Sequence, residues 1–166
     1  MDAIHIPSLL KAPESTETLQ FREFIPGLET LMPVRGAIEV AHRGTYLEVS
    51  ASVETILTLT CDRCLQQYNY RLKIQPQELI WLDERADRPD DFPIEQEVSM
   101  EELVEMLPPQ GDFDPQGWIY EQLCLALPAQ KHCREDCQGI SPAESSPPIA
   151  DSRWAALQQL KGQLPS

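Results

Sequence analysis

Polar and apolar residues alternate along the middle of the chain with a period of two. Leu47, Val49, Ala51, Val53, Leu57, Leu59 and Cys61 share one face, interrupted by Thr55. Glu48, Ser50, Ser52, Glu54, Thr58 and Thr60 share the other, with Ile56 the exception. Period two over this length predicts a long strand with one buried face. After Cys61-Asp62-Arg63-Cys64 the apolar role passes to Tyr68, Tyr70, Leu72 and Ile74, leaving Asn69, Arg71 and Lys73 outward. The two runs read as a hairpin whose connection carries Cys61 and Cys64. Upstream, Val34, Ile38 and Val40 predict an earlier strand, ended by a turn at His42-Arg43-Gly44-Thr45. A short strand over Glu78 to Leu82 is expected downstream.

Helical signals are few and short. Ser99-Met100-Glu101-Glu102 has capping-box form and predicts a short helix through Met106, stopped by Pro108 and Pro109. Asp114-Pro115 reads as an N-cap with proline at the first helical position. Behind it Trp118, Ile119, Leu123, Leu125 and Ala126 form an apolar stripe that Pro128 ends. The expected fold is α+β, an antiparallel β-sheet with a long hairpin, flanked by a few short helices. Residues 1–30, broken by Pro7, Pro13 and Pro26, read as a loosely structured lead-in with a short helical or extended piece around Leu19 to Phe24. Residues 31–140 form the α+β domain and 141–150 a Pro/Ser-rich linker. Residues 151–166 form a C-terminal helix containing Trp154, Leu157 and Leu160.

Charge narrows the functional classes. Thirteen basic residues against 27 acidic ones give a net −14, the opposite of the balance expected of a general nucleic-acid binder. Between Asp83 and Glu105, ten acidic residues face only Arg85 and Arg88, so this charged stretch suits a basic partner. No run nears the roughly 20 apolar residues of a membrane span. Nor does the N-terminus carry a basic start and long apolar core, so a cytoplasmic protein is expected.

Five cysteines without a secretory signal do not suggest a disulfide framework. Four of them fall in close pairs, Cys61-x-x-Cys64 at a strand end and Cys133-x3-Cys137 in a turn after a helix. Two pairs of thiolates on tight turns can converge on one tetrahedral zinc ion, with Gly139 providing an unhindered turn residue. The alternatives are two pairs that sit close through packing alone, or a thiol–disulfide oxidoreductase using Cys61 and Cys64. The hairpin context, with no helix starting at Cys61, speaks against the redox reading. Cys124 falls on the helical stripe as a small hydrophobe. His42 and His132 have no partner at ligand or base spacing. The carboxylates of 83–105 read as a solvated face, and no catalytic residue is assigned.

Three segments in order carry a resemblance. They are Leu59-Thr60-Cys61-Asp62-Arg63-Cys64-Leu65, then Leu125-Ala126-Leu127-Pro128 leading to Cys133-Arg134-Glu135-Asp136-Cys137-Gln138-Gly139, and Asp151-Ser152-Arg153-Trp154-Ala155-Ala156-Leu157. From about Val34 onward the chain resembles the YceD family of bacterial and plastid proteins, linked to accumulation of large-subunit ribosomal RNA. The resemblance implies a ribosome-assembly factor supporting synthesis, processing or stability of that RNA, without a known reaction. It departs from the family pattern after Gly139, where two further cysteines usually follow, and at Ser152, where proline is usual. Expected partners are a ribosomal RNA precursor or a basic ribosomal protein of the large subunit, with no membrane and no small-molecule substrate. Arg63, Arg71 and Lys73, outward on the hairpin, are the candidate partner-binding residues.

Overall fold

The computed structural model describes residues 1–87 and 105–140. Its spine is the long strand that the alternation predicts, β4, Tyr46–Thr60. β3, Val34–His42, pairs antiparallel with it from Arg35 opposite Glu54 to His42 opposite Leu47. Leu47, Val49, Val53, Leu57 and Leu59 are buried on one face. Thr55, the polar break in that series, is itself only 4% exposed. Its hydroxyl donates to the Met32 carbonyl at 2.9 Å, which satisfies a polar group that burial would otherwise penalise.

β5, Gln67–Ile74, and β6, Gln77–Leu82, both pair with the same edge of β4. Val53 faces Ile74 and Ser50 faces Gln77, so the register does not slip between them. They form one long antiparallel partner interrupted at Gln75-Pro76, where proline lacks an N–H for the ladder. Its carbonyl still accepts from the Ala51 N–H at 3.1 Å, holding the break in line.

The N-terminal segment departs from the expected loose lead-in. β1, Ile4–His5, is followed by α1, Ile6–Leu9, and by an eight-residue strand β2, Thr16–Glu23, antiparallel to β3. Residues 19–24 therefore take the extended alternative up to Glu23. The reason is tertiary: β2 presents only Leu19 and Phe21 inward, too few to announce a strand, but β3 offers it a full edge of backbone partners. A helix ending at Met106 is not found. Met106–Leu107 is a short strand, β7, parallel to β6, because the Glu105 and Leu107 carbonyls accept from the N–H groups of Trp81 and Asp83. The earlier residues of that expected helix, the linker and the C-terminal helix lie outside the described residues. The six-stranded sheet thus runs β2-β3-β4-β6-β7, with β5 beside β4.

The buried face is closed by Ile4, Ile6 and Leu9 at the N-terminus and by α2, Pro115–Leu125. Asp114 caps α2 as expected, its carboxylate accepting from the Gln116 N–H at 3.0 Å, and Pro115 opens the first turn. β8, Asp112–Phe113, pairs with β1 and delivers the chain to this cap. Trp118, Ile119 and Leu123 are buried as the stripe predicts. Leu125 is not: as the last helical residue it is 78% exposed, whereas Ala126, also of the stripe, packs against the core together with Leu127. No helix among the described residues is long and apolar enough to cross a membrane.

Candidate metal centre

The six residues between β4 and β5 form a tight tip. The Cys61 N–H donates to the Gln66 carbonyl and the Leu65 N–H to the Cys61 carbonyl, both at 2.9 Å. Closing the turn puts Leu65 at φ 61, a left-handed conformation that a side chain adopts at some cost. The turn directs Cys61 inward, where it is fully buried, and leaves Cys64 half-buried beside it.

The segment after α2 folds back onto this tip. The Asp62 N–H donates to the Lys131 carbonyl at 2.7 Å, and the Lys131 N–H donates to the Asp62 carboxylate at 2.6 Å. Arg63 reaches across as well, donating to the Cys137 carbonyl at 3.1 Å. Gly139 sits at φ 77, and a Cβ there would come within 3.2 Å of the Arg63 carbonyl oxygen. Glycine serves both the backbone conformation and the close approach.

These contacts bring Cys61, Cys64, Cys133 and Cys137 together, with all four sulfurs within 4.8 Å of one another. Cys61 and Cys137 Sγ are 3.8 Å apart, as are Cys64 and Cys133 Sγ. Four thiolates placed tetrahedrally about 2.3 Å from one ion are separated by about 3.8 Å along each edge. A disulfide needs roughly 2.05 Å, and all five cysteines are free thiols. The donor set and spacing fit a tetrahedral metal that favours sulfur, such as zinc or iron. His132 is not in the cluster, and Cys124 lies half-buried on α2 away from it.

The thiols are unequal. Burial pushes Cys61 up, but N–H groups of Cys64, Cys133 and Arg63 aimed at its sulfur outweigh that and bring it down to about 6. Cys133 is pushed up to about 12, first by burial and then by the neighbouring sulfurs of Cys137, Cys64 and Cys61. Cys64 is lowered by the Gln66 N–H, yet burial and the Cys61 and Cys137 sulfurs together leave it above the usual thiol range. Several sulfurs crowd one small volume and resist carrying negative charge at once, which a cation at their centre would relieve.

This arrangement does not favour a thiol–disulfide enzyme. The Cys61–Cys64 pair is at a hairpin tip, and each sulfur faces a partner from the second pair. The three expected partner-binding cations are separated by the fold. Arg63 is tied to the cysteine cluster, whereas Arg71 and Lys73 lie along β5. Lys73 forms an ion pair with Glu54 at 3.1 Å, and the Arg71 side chain makes no hydrogen bond or ion pair among the described residues. The Asp62–Lys131 clasp had no visible signal in the sequence, because its two halves are 69 positions apart.

Comparison with curated proteins and with solved structures returned no match. Residues 49–161, which begin within β4 and include both cysteine pairs, match the family model described as large ribosomal RNA subunit accumulation protein YceD, and the chain belongs to that family.

Proposed function

We propose that this protein is a cytoplasmic ribosome-assembly factor that supports synthesis, processing or stability of large-subunit ribosomal RNA, by binding and not by catalysis. The family match over residues 49–161 carries this reading. Its direct partner is either a precursor of that RNA or a basic ribosomal protein of the large subunit. Deleting the gene and measuring precursor and mature large-subunit RNA tests the role. A fall in mature RNA with accumulation of precursor or incomplete subunits is expected; unchanged RNA and normal subunit profiles would sink it.

In this reading the four cysteines hold a structural zinc ion. Cys61 and Cys64 hold it from the hairpin tip, and Cys133 and Cys137 from the turn that follows α2. With four protein thiolates the ion has no open position for a substrate, so it contributes folding energy and not chemistry. Elemental analysis of protein purified without chelator should return about one zinc per chain. A Cys61→Ser variant should lose both the metal and thermal stability. Four freely titrating thiols and no metal would end the assignment.

A further inference from the structure

The outer face of the sheet carries a basic row that the acidic composition conceals. Arg22 of β2 is directly opposite Arg35 of β3, Arg35 is opposite Glu54 of β4, and Glu54 is opposite Lys73 of β5. Residues directly opposite in an antiparallel ladder point to the same side. Arg71, opposite Ile56, shares that side one row further along. All four cations are exposed. Glu54 is the single carboxylate among them, and it forms ion pairs with both Arg35 and Lys73. The side chains of Arg22 and Arg71 have no hydrogen bond or ion pair among the described residues.

Two features of this row run against folding stability. Arginines directly opposite one another repel. The chain has 27 acidic residues, yet none neutralises Arg22 or Arg71 among the described residues. Local conflicts of this kind are expected where a site awaits a ligand. A groove of about 710 Å³ is lined by Arg35, Ser52, Glu54, Lys73 and Gln75. Phe24, directly after β2, is 62% exposed, a large aromatic left in water two residues from Arg22.

Resting on the ribosomal-RNA reading above, we propose that this face binds single-stranded RNA. Arg22, Arg35, Arg71 and Lys73 contact phosphates, and Phe24 stacks on a base. Exposed aromatics beside a basic track are the means by which single strands are held without sequence preference. A-form duplex, with its narrow major groove and stacked bases, offers a sheet face much less. The surface is distinct from the cysteine cluster, and Arg63 at the hairpin tip is not part of it.

The test uses the full chain, a fluorescent single-stranded RNA of about 12 nucleotides and anisotropy titrations across salt. Single strands give a slope of log affinity on log salt of about −0.7 per phosphate contact, hence about −2.8 for four cations. The double variant Arg22→Gln, Arg71→Gln removes two exposed, unpaired cations without touching the core. Its slope should fall to about −1.4, and its affinity at low salt should drop roughly tenfold or more. Arg43→Gln, whose arginine pairs with Glu48 at the turn before β4, should bind as wild type. An unchanged slope in the double variant, an equal loss in Arg43→Gln, or equal competition by duplex RNA overturns the proposal. In cells, a deletion strain with normal ribosomal RNA defeats the ribosome-assembly reading itself. A deletion that lowers the RNA but is fully rescued by the double variant defeats only this surface. A double variant that fails to rescue yet binds RNA normally would assign the face to a protein, which also overturns the proposal.

Discussion

Gly36 illustrates how much a single position in this sheet can constrain. It faces Val53 in the β3–β4 ladder, and a Cβ there would lie 2.1 Å from the Ser52 carbonyl oxygen and 2.9 Å from Val53 Cα. Both are backbone atoms, so the clash cannot be relieved by a rotamer change. Gly36→Ala should destabilise the fold by about 3 kcal/mol, at the upper end for inserting a methyl into a packed site. Urea unfolding monitored by circular dichroism measures it; a loss below about 1 kcal/mol would mean the strands spread easily. Thr55 poses the opposite case. Thr55→Val keeps the shape but removes the hydroxyl that donates to the Met32 carbonyl, and should cost about 1 kcal/mol. In the sequence Thr55 is visible only as a flaw in an apolar series. Its partner is on a loop 23 positions away, and alternation says nothing about which loop covers a strand.

At the scale of elements, what the sequence made legible depended on how much of the evidence was local. The alternation of β4 and the Asp114-Pro115 start of α2 are written in consecutive residues, and both appear in the structure where the pattern puts them. Asp114→Ala should therefore cost roughly 1 kcal/mol of stability, read from the unfolding midpoint, because it frees the Gln116 N–H. No measurable loss would mean water replaces the cap. β2 was illegible for the opposite reason. An edge strand buries little, and Leu19 and Phe21 stand among Glu17, Arg22 and Glu23. Missing β2 also hid the Arg22–Arg35 pair, which exists only once the two strands are in register. Pro76 concealed a further relation. It separates two apolar runs in sequence, yet β5 and β6 share one register along β4.

Across the whole molecule, the cysteine pairs were legible as pairs but their meeting was not, since spacing in sequence cannot show that the chain after α2 returns to the hairpin tip. The contacts that bring it back, Asp62 with Lys131 and Arg63 with Cys137, involve residues that look like ordinary surface charges. The convergence makes the pH dependence of metal binding predictable. Zinc binds thiolates, so each thiol still protonated must release its proton on binding. Cys61, lowered to about 6, is already ionised at neutral pH. Cys64 is raised above its ordinary value and Cys133 is pushed up to about 12, so both remain protonated there. At least two protons should leave per ion near pH 7, and apparent affinity should climb at least about a hundredfold per pH unit. Below about pH 6 the Cys61 proton joins them and the dependence should steepen by about another factor of ten per unit. Competition against a chromophoric chelator from pH 5 to pH 8, with proton release followed in weak buffer, checks both limbs. An affinity that stays flat over that range would mean the four sulfurs do not ligate the ion.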